Sequence, residues 1–354
     1  LIVELIGGAE GPAKKLVFSA LKNKKHVVTA NKALIAKYGD QLSKIAEKNK
    51  VNLEFEASVC GGVPIIRSLK EGLIANKIYR VFGIFNGTSN YILSSMDKEN
   101  KNFEEVLLNA KKLGYAESNP SADLNGDDVA AKLKILSSLC FNSFLNKNIH
   151  VEGINQIDKD DIKYAKKLGY KIKLLGYAEL IGKHIYQRVH PTLIKGSSYV
   201  ASINGVLNAV IIDGSPVGQS IIQGEGAGPA ATTSALISDI SSILRGNIKF
   251  PFSISNKERK KLNFKQISDR TFSAYLRFEV IDKPGILSDI TRIFSKNNVS
   301  IKRLVQDPNK NKGSSCIIII THLSKDKSLN KIIKVINKKS YIKKRSKLIR
   351  IDDN

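Results

Sequence analysis

Leu1-Ile2-Val3-Glu4-Leu5-Ile6-Gly7-Gly8 opens the chain, and residues 12–22 and then His26-Val27-Val28-Thr29 follow it. The first run reads as a buried strand that ends in a Gly turn. Pro12 stands where proline suits the first turn of a helix, and Val17, Ala20 and Leu21 give that helix an apolar face. Residues 26–29 form a second strand, and a helix over 39–48 and a strand over 52–56 continue the alternation. Strands alternating with helices of this length predict a parallel, doubly wound α/β sheet. A chain that opens inside a strand is expected to have lost its N-terminal part.

Further along, the pattern changes. Helices over 65–73, 90–96, 103–113 and 127–141 alternate with strands over 77–85, 174–180 and 184–189. Longer insertions between them suggest an α+β substrate domain. Gly224-Glu225-Gly226-Ala227-Gly228-Pro229 then leads into a helix over 230–245. A stretch rich in Lys, Ser and Asn, 253–269, reads as a polar linker. Beyond it come a strand (274–281), the turn Asp282-Lys283-Pro284-Gly285, a helix (286–296), strands (299–305 and 315–322), a helix (328–337) and a strand (342–351). That βαββαβ order is ferredoxin-like. The expected division is 1–56, 57–217, a returning segment 218–252, a linker 253–269 and a terminal domain 270–354.

The 354 residues, 42% hydrophobic and 25% charged, are enough for two or three domains. No apolar run nears the ~18 residues that cross a bilayer. The longest, Cys316 to Ile320, is strand-sized, and the start lacks the features of a signal peptide. The expectation is a soluble, cytoplasmic protein with no membrane partner. Three scattered cysteines fit a reducing compartment, and five isolated histidines show no zinc spacing. The net charge of +25 raises nucleic-acid binding. Lysines are spread along the chain, however, and the dense run 325–350 holds one aromatic, Tyr341, so no base-stacking platform is visible. Solvated lysine faces and no nucleic-acid partner are the reading.

The chemistry concentrates in Ala110-Lys111-Lys112-Leu113-Gly114-Tyr115-Ala116-Glu117-Ser118-Asn119-Pro120 and Ser121-Ala122-Asp123-Leu124-Asn125-Gly126-Asp127-Asp128-Val129-Ala130-Ala131-Lys132. A helix ends at Gly114, a loop exposes Glu117 and Asp123, and a new helix begins near Gly126 with Asp127 and Asp128 in its first turn. Asp128 and Lys132 then share one face. A surface ion pair is the plain alternative, and such pairs contribute little. Lys132, however, is flanked at helical spacing by Ile135, Leu136 and Leu139, whereas Lys134, beside Ser137 and Ser138, reads as the solvated lysine. Desolvation should lower the pKa of Lys132 while Asp128 holds it in place, the setting of a general acid or base.

At these residues the chain resembles the homoserine dehydrogenase family, whose signature the 110–132 stretch matches at its fixed positions. The resemblance extends through His26-Val27-Val28-Thr29-Ala30-Asn31-Lys32-Ala33-Leu34 and Phe82-Gly83-Ile84-Phe85-Asn86-Gly87-Thr88-Ser89-Asn90-Tyr91, and covers residues 1–245. It implies a Rossmann-type cofactor domain, a domain for substrate binding and dimerisation, and the NAD(P)-dependent interconversion of L-homoserine and L-aspartate 4-semialdehyde, in threonine, methionine and isoleucine biosynthesis. Lys132 resembles the proton donor and acceptor. Glu117 resembles the carboxylate that binds the substrate ammonium, with Tyr115, Asp123 and Asp128 completing the pocket. Lys32, closing a predicted parallel strand, looks like the second lysine, between nicotinamide and substrate. Gly87 and Thr88 offer an amide and a hydroxyl to a substrate carboxylate or to the nicotinamide amide. Gly7, Ala30, Lys32, Gly226 and Ala227 fall at cofactor positions. Glu56, with the carbonyls of Val59, Gly61 and Val63, resembles a monovalent-cation loop for sodium or potassium.

Two departures stand out. The G-x-G-x-x-G fingerprint is absent, which implies weak cofactor binding by the chain as given and leaves NAD or NADP, and an upstream kinase, open. Pro229-Ala230-Ala231-Thr232-Thr233 also stands where Pro-Thr is usual. The terminal block resembles an ACT domain, which implies threonine as its ligand and a homo-oligomer, dimer or tetramer. The alternatives are another amino-acid dehydrogenase, a non-catalytic amino-acid-binding regulatory protein, or a truncated inactive fragment.

Overall fold

β1 (Ile2–Glu4), β2 (Val27–Thr29) and β3 (Leu53–Glu54) form a three-stranded parallel sheet in that order. Parallel neighbours need crossover connections, and α1 (Pro12–Lys22) and α2 (Lys32–Asn49) supply them. The computed structural model describes residues 1–145, 149–308 and 313–352. α1 has the expected bounds, but α2 begins at Lys32 instead of 39. The side chain of Asn31 accepts the Leu34 N–H and caps the helix, and Leu34, Ile35, Leu42 and Ala46 carry its buried face. Lys32 is therefore the first residue of a helix and not the last of a strand. Gly39 lies inside that helix, where a Cβ would come within 2.8 Å of the Phe252 ring.

The chain divides into two units, the first made of Leu1–Gln156, Leu174–His190 and Ile203–Lys265. It also holds an antiparallel layer. β4 (Lys77–Ile84) pairs on one side with residues 176–179 and on the other with the strand Leu207–Ser215, which pairs in turn with Gly218–Glu225. The sequence reading missed these last two strands. Leu207–Ser215 is buried almost throughout, so it shows no alternation to read. α3 (Gly87–Glu99) follows β4, and α4 (Asp127–Cys140) packs Val129 toward Gly176. α5 (Pro229–Leu244) starts behind the Gly-rich loop with Pro229 in its first turn. The supposed polar linker is folded structure: Arg259 is buried, Lys260 N–H donates to the Asn142 carbonyl at 2.8 Å, and Asn263–Lys265 is a short strand. Ser255, Asn256 and Arg259 bond to other parts of the unit while its lysines are exposed, a difference that a count of Lys, Ser and Asn does not reveal.

The second unit comprises Ile157–Lys173, Pro191–Ser202 and Gln266–Asn354. β5 (Thr271–Ile281), β6 (Ile301–Pro308), β7 (Ser314–Thr321) and β8 (Lys347–Asp352) form an antiparallel sheet in the order β6-β7-β5-β8. α6 (Ile286–Lys296) and α7 (Asp326–Ile336) cover it, with Ile290, Phe294, Leu329 and Ile332 packed on Leu276, Phe278 and Ile319. This is the expected ferredoxin-like order. β8 starts at Lys347 instead of 342, because Tyr341 lies in a turn whose carbonyl accepts the Ile281 N–H. Arg350, in the basic run, is buried and ion-paired to Asp326 at 2.7 Å, so that run is not wholly solvated. Among the described residues no helix is long and apolar enough to cross a membrane.

Candidate active site

Asp128, in the first turn of α4, is the hub. Its Oδ1 lies 2.7 Å from Lys32 Nζ and its Oδ2 2.9 Å from Lys132 Nζ. Burial raises the pKa of this carboxyl, but the two ammonium groups outweigh burial and hold it well below the usual carboxylate range. Lys132 also donates to the Phe85 carbonyl at 2.6 Å, so its ammonium has two fixed acceptors. Burial is the largest single influence on Lys132 and lowers its pKa. Asp128, with Cys60 and Asp123, more than reverses that, and the group sits above the ordinary lysine value. The expected downward shift is therefore corrected: the apolar flank is real, but the carboxylate is buried with the lysine and interacts through a poor dielectric. Lys134 is half-buried, and burial lowers its pKa, so it is not the freely solvated lysine expected.

Asn86 joins the hub to the rest of the pocket. It caps α3 by accepting the Ser89 N–H at 2.8 Å. Its amide nitrogen donates to Asp123 Oδ1 at 2.7 Å and to Asp128 Oδ2 at 2.9 Å. The sequence reading gave Asn86 no role, although an Asn just before Gly87-Thr88-Ser89 is an N-cap signal. Asp123 lies in a short helix, Ser121–Asn125, and is half-buried instead of loop-exposed; burial, then Asp128, raises its pKa. Thr88 donates its hydroxyl to the Tyr115 carbonyl at 2.6 Å, and the Tyr115 ring lies 5.0 Å from that of Tyr91. Gly87 sits where a Cβ would come within 2.6 Å of the Val206 carbonyl oxygen. Glu117 is exposed and makes no hydrogen bond or ion pair among the described residues.

At the carboxyl edge of the parallel sheet, the buried side chain of Glu4 organises the approach to Lys32. One oxygen accepts the N–H groups of Ile6 and Gly7 at 2.8 and 2.9 Å, and the other accepts the Thr29 hydroxyl at 2.6 Å. Thr29 Oγ1 accepts the Asn31 N–H at 2.9 Å, and the Asn31 amide donates to the Gly8 carbonyl at 2.7 Å. Gly7 and Gly8 are thereby tied to Thr29 and Asn31, which lead into Lys32, at the sheet edge where ligands of open α/β sheets bind. A carboxylate dedicated to orienting its neighbours was not legible in a strand-like run. Gly226 packs on the buried Asn208 amide and on Gly61, and Ala227 follows it, exposed.

Glu56 opens a short 3-10 turn, and its two oxygens accept the Ile66 and Arg67 N–H groups at 2.9 and 2.7 Å. Burial, helped by nearby Asp239, pushes its carboxyl up to about 7. The Val63 carbonyl accepts the Ile65 N–H, whereas the Val59 and Gly61 carbonyls accept no hydrogen bond among the described residues. Among those residues no cluster of three or more His, Cys, Asp and Glu could hold a metal ion. In the second unit, a cavity of about 470 Å³ opens at the turn between β5 and α6, lined by Asp282, Pro284, Gly285, Gln306 and Ser315 among others.

A family model described as homoserine dehydrogenase matches residues 64–241. One described as the homoserine dehydrogenase NAD binding domain matches residues 1–56, and one for the ACT domain matches residues 274–340. Homoserine dehydrogenase of Neisseria gonorrhoeae is 41% identical, over 99% of this chain and 82% of its own length. That of Bacillus subtilis is 37% identical, over 100% of this chain and 82% of its own. Among solved structures, a homoserine dehydrogenase from Thiobacillus denitrificans superposes with a TM-score of 0.92 at 40% identity, covering 99% of this chain and 81% of that one. A hyperthermophilic archaeal homoserine dehydrogenase in complex with NADPH gives a TM-score of 0.62 at 28% identity, covering 70% and 72%.

Proposed function

The chain belongs to the homoserine dehydrogenase family, and from that premise we propose that it interconverts L-homoserine and L-aspartate 4-semialdehyde with Lys132 as the proton donor and acceptor. The observation that carries the assignment of roles is the sharing of one buried carboxylate, Asp128, by two lysine ammonium groups at 2.7 and 2.9 Å. A dry carboxylate between two ammonium groups costs desolvation that surface pairs do not, and that cost is justified where the groups must be held for chemistry.

The residues divide the work by charge. With its pKa above the ordinary lysine value, Lys132 is an ammonium at neutral pH and is ready to protonate the semialdehyde oxygen as it becomes a hydroxyl. In the opposite direction it must first lose that proton, which Asp128 resists. Lys32, partly exposed at the N-terminus of α2, carries its charge between the cofactor edge and the substrate. Asp123 and the uncommitted Glu117 are the carboxylates available to the substrate ammonium, with Tyr115 beside them. The N-terminus of α3 at Gly87-Thr88 presents amides to the substrate carboxylate. The nicotinamide cofactor, when bound, accepts or returns a hydride at the carbon bearing the hydroxyl. Gly7, Ala30, Lys32, Gly226 and Ala227 are the residues that would hold it, and either NAD or NADP suits them. The open carbonyls of Val59 and Gly61, with Glu56, suit a monovalent cation.

The cavity at Asp282 and Gly285 is proposed to take threonine, in a regulatory role. The test of the assignment is turnover of L-homoserine against L-serine and L-threonine with each nicotinamide cofactor. Preference for homoserine by orders of magnitude is expected; equal turnover of all three would point to another amino-acid dehydrogenase.

A further inference from the structure

Arg259 is the most unusual cation in the first unit. Its side chain is 0% exposed, yet it comes from a stretch rich in lysine, serine and asparagine. Nη2 lies 2.8 Å from Asp40 Oδ1 and donates to Ser138 Oγ and to the Ser143 carbonyl, each at 2.7 Å. Its guanidinium carbon stands 4.3 and 4.7 Å from the ring centroids of Phe252 and Phe144. The segment around it is pinned to α2: Asn256 N–H donates to the Glu47 carboxylate at 3.1 Å, and Ser43 donates to Asn256 Oδ1 at 3.0 Å.

Asp40 is on α2, which begins with Lys32, and Ser138 is on α4, which carries Asp128 and Lys132. The two helices pack against each other and are also linked through polar groups at the Lys32–Asp128 ion pair and, by way of Arg259, between Asp40 and Ser138. We propose that Arg259 is a positioning residue that sets the spacing of Lys32 and Lys132 by stapling α2 to α4 at a distance from the reacting atoms. At 1.5 Å per residue, about 12 Å of helix separates Lys32 from Asp40, and about 9 Å separates Lys132 from Ser138. A tilt of about 5° at the staple moves Lys32 by about 1 Å, a displacement that can cost about 100-fold in rate. Through Nη1 the same guanidinium donates to Asn256 Oδ1 at 3.3 Å while it stands against two aromatic rings, and a lysine ammonium, a compact point charge with one nitrogen, cannot reach both acceptor sets from that position. Gly39, next to Asp40, leaves the space that the Phe252 ring occupies against the helix.

The inference rests on the roles proposed above for Lys32 and Lys132, and the experiment separates the two. Arg259→Lys and Asp40→Asn are made in the purified enzyme, with Lys132→Ala beside them. For each, kcat, the KM for homoserine, the deuterium isotope effect with homoserine labelled at its hydroxyl-bearing carbon, and the melting curve are measured. Arg259→Lys is expected to lower kcat at least tenfold with KM changed less than threefold, and to raise the isotope effect as hydride transfer becomes limiting. Asp40→Asn, at a partly exposed carboxylate, should give the same signature more weakly, and it decides the matter if Arg259→Lys does not fold. Loss of activity only in proportion to folded enzyme, with the isotope effect unchanged, would overturn the staple. Normal kcat in Lys132→Ala would instead overturn the roles on which it stands.

Discussion

Asp128 faces two ammonium groups, and its charge decides when Lys132 can act as a base. Asp128→Asn removes the largest of the influences that raise the Lys132 pKa, so that burial, the largest influence of all, lowers it against only Cys60 and Asp123. The rise of homoserine oxidation with pH, which follows loss of the Lys132 proton, should therefore begin at lower pH in the variant, while its maximal rate falls because Lys32 loses its anchor. A pH–rate profile of kcat in the oxidative direction checks the sign. Glu117 makes a separate prediction. Because it has no partner among the described residues, Glu117→Gln should raise the KM for homoserine at least several-fold with cofactor affinity little changed. Equal weakening of both ligands would make it structural. The Asp128–Lys132 pair was legible because i,i+4 spacing fixes it in any helix. The bonds of Asp128 to Lys32 and Asn86 were not, since they join residues far apart in the chain, and the sign of the Lys132 shift turned on the burial of Asp128 beside it, which spacing alone does not show.

Asn86 shows how an element and a site share one residue. Asn86→Ala removes the cap of α3, which costs about 1 kcal/mol, and strips Asp123 and Asp128 of a shared donor. Thermal melting should move down by a few degrees, and kcat should fall by more than that loss of stability explains. A rate near that of the unaltered enzyme would leave Asn86 as a cap alone. Element types were readable wherever apolar periodicity ran clean, as in α1, whose bounds came out as expected. They failed where caps or burial override periodicity. α2 starts at Asn31's cap and not near Gly39, and the strand Leu207–Ser215 has no polar face to alternate with. The 253–269 stretch reads as a linker because its lysines are exposed, while Asn256 and Arg259, which anchor it, bond to residues distant in sequence.

The whole molecule joins an oxidoreductase fold to a ferredoxin-like unit with its own cavity, and both architectures were legible from the order of strands and helices. If threonine occupies that cavity, it can act only through different affinities for two states of the enzyme. Threonine should then inhibit homoserine oxidation, and Asp282→Ala, at an exposed position lining the cavity, should relieve the inhibition while activity without threonine persists. Gly285 is a poorer probe, since its φ of +87° would strain any side chain placed there. Unchanged inhibition in Asp282→Ala would move the effector elsewhere. Turnover in the first unit comes down to one group moving one proton. Homoserine-dependent reduction of NAD or NADP, followed by absorbance in the unaltered enzyme and in Lys132→Ala, measures that most directly. In Lys132→Ala, kcat should fall by about two orders of magnitude or more in a protein that melts normally. A Lys132→Ala enzyme with near-normal kcat would contradict the proton-transfer role of Lys132.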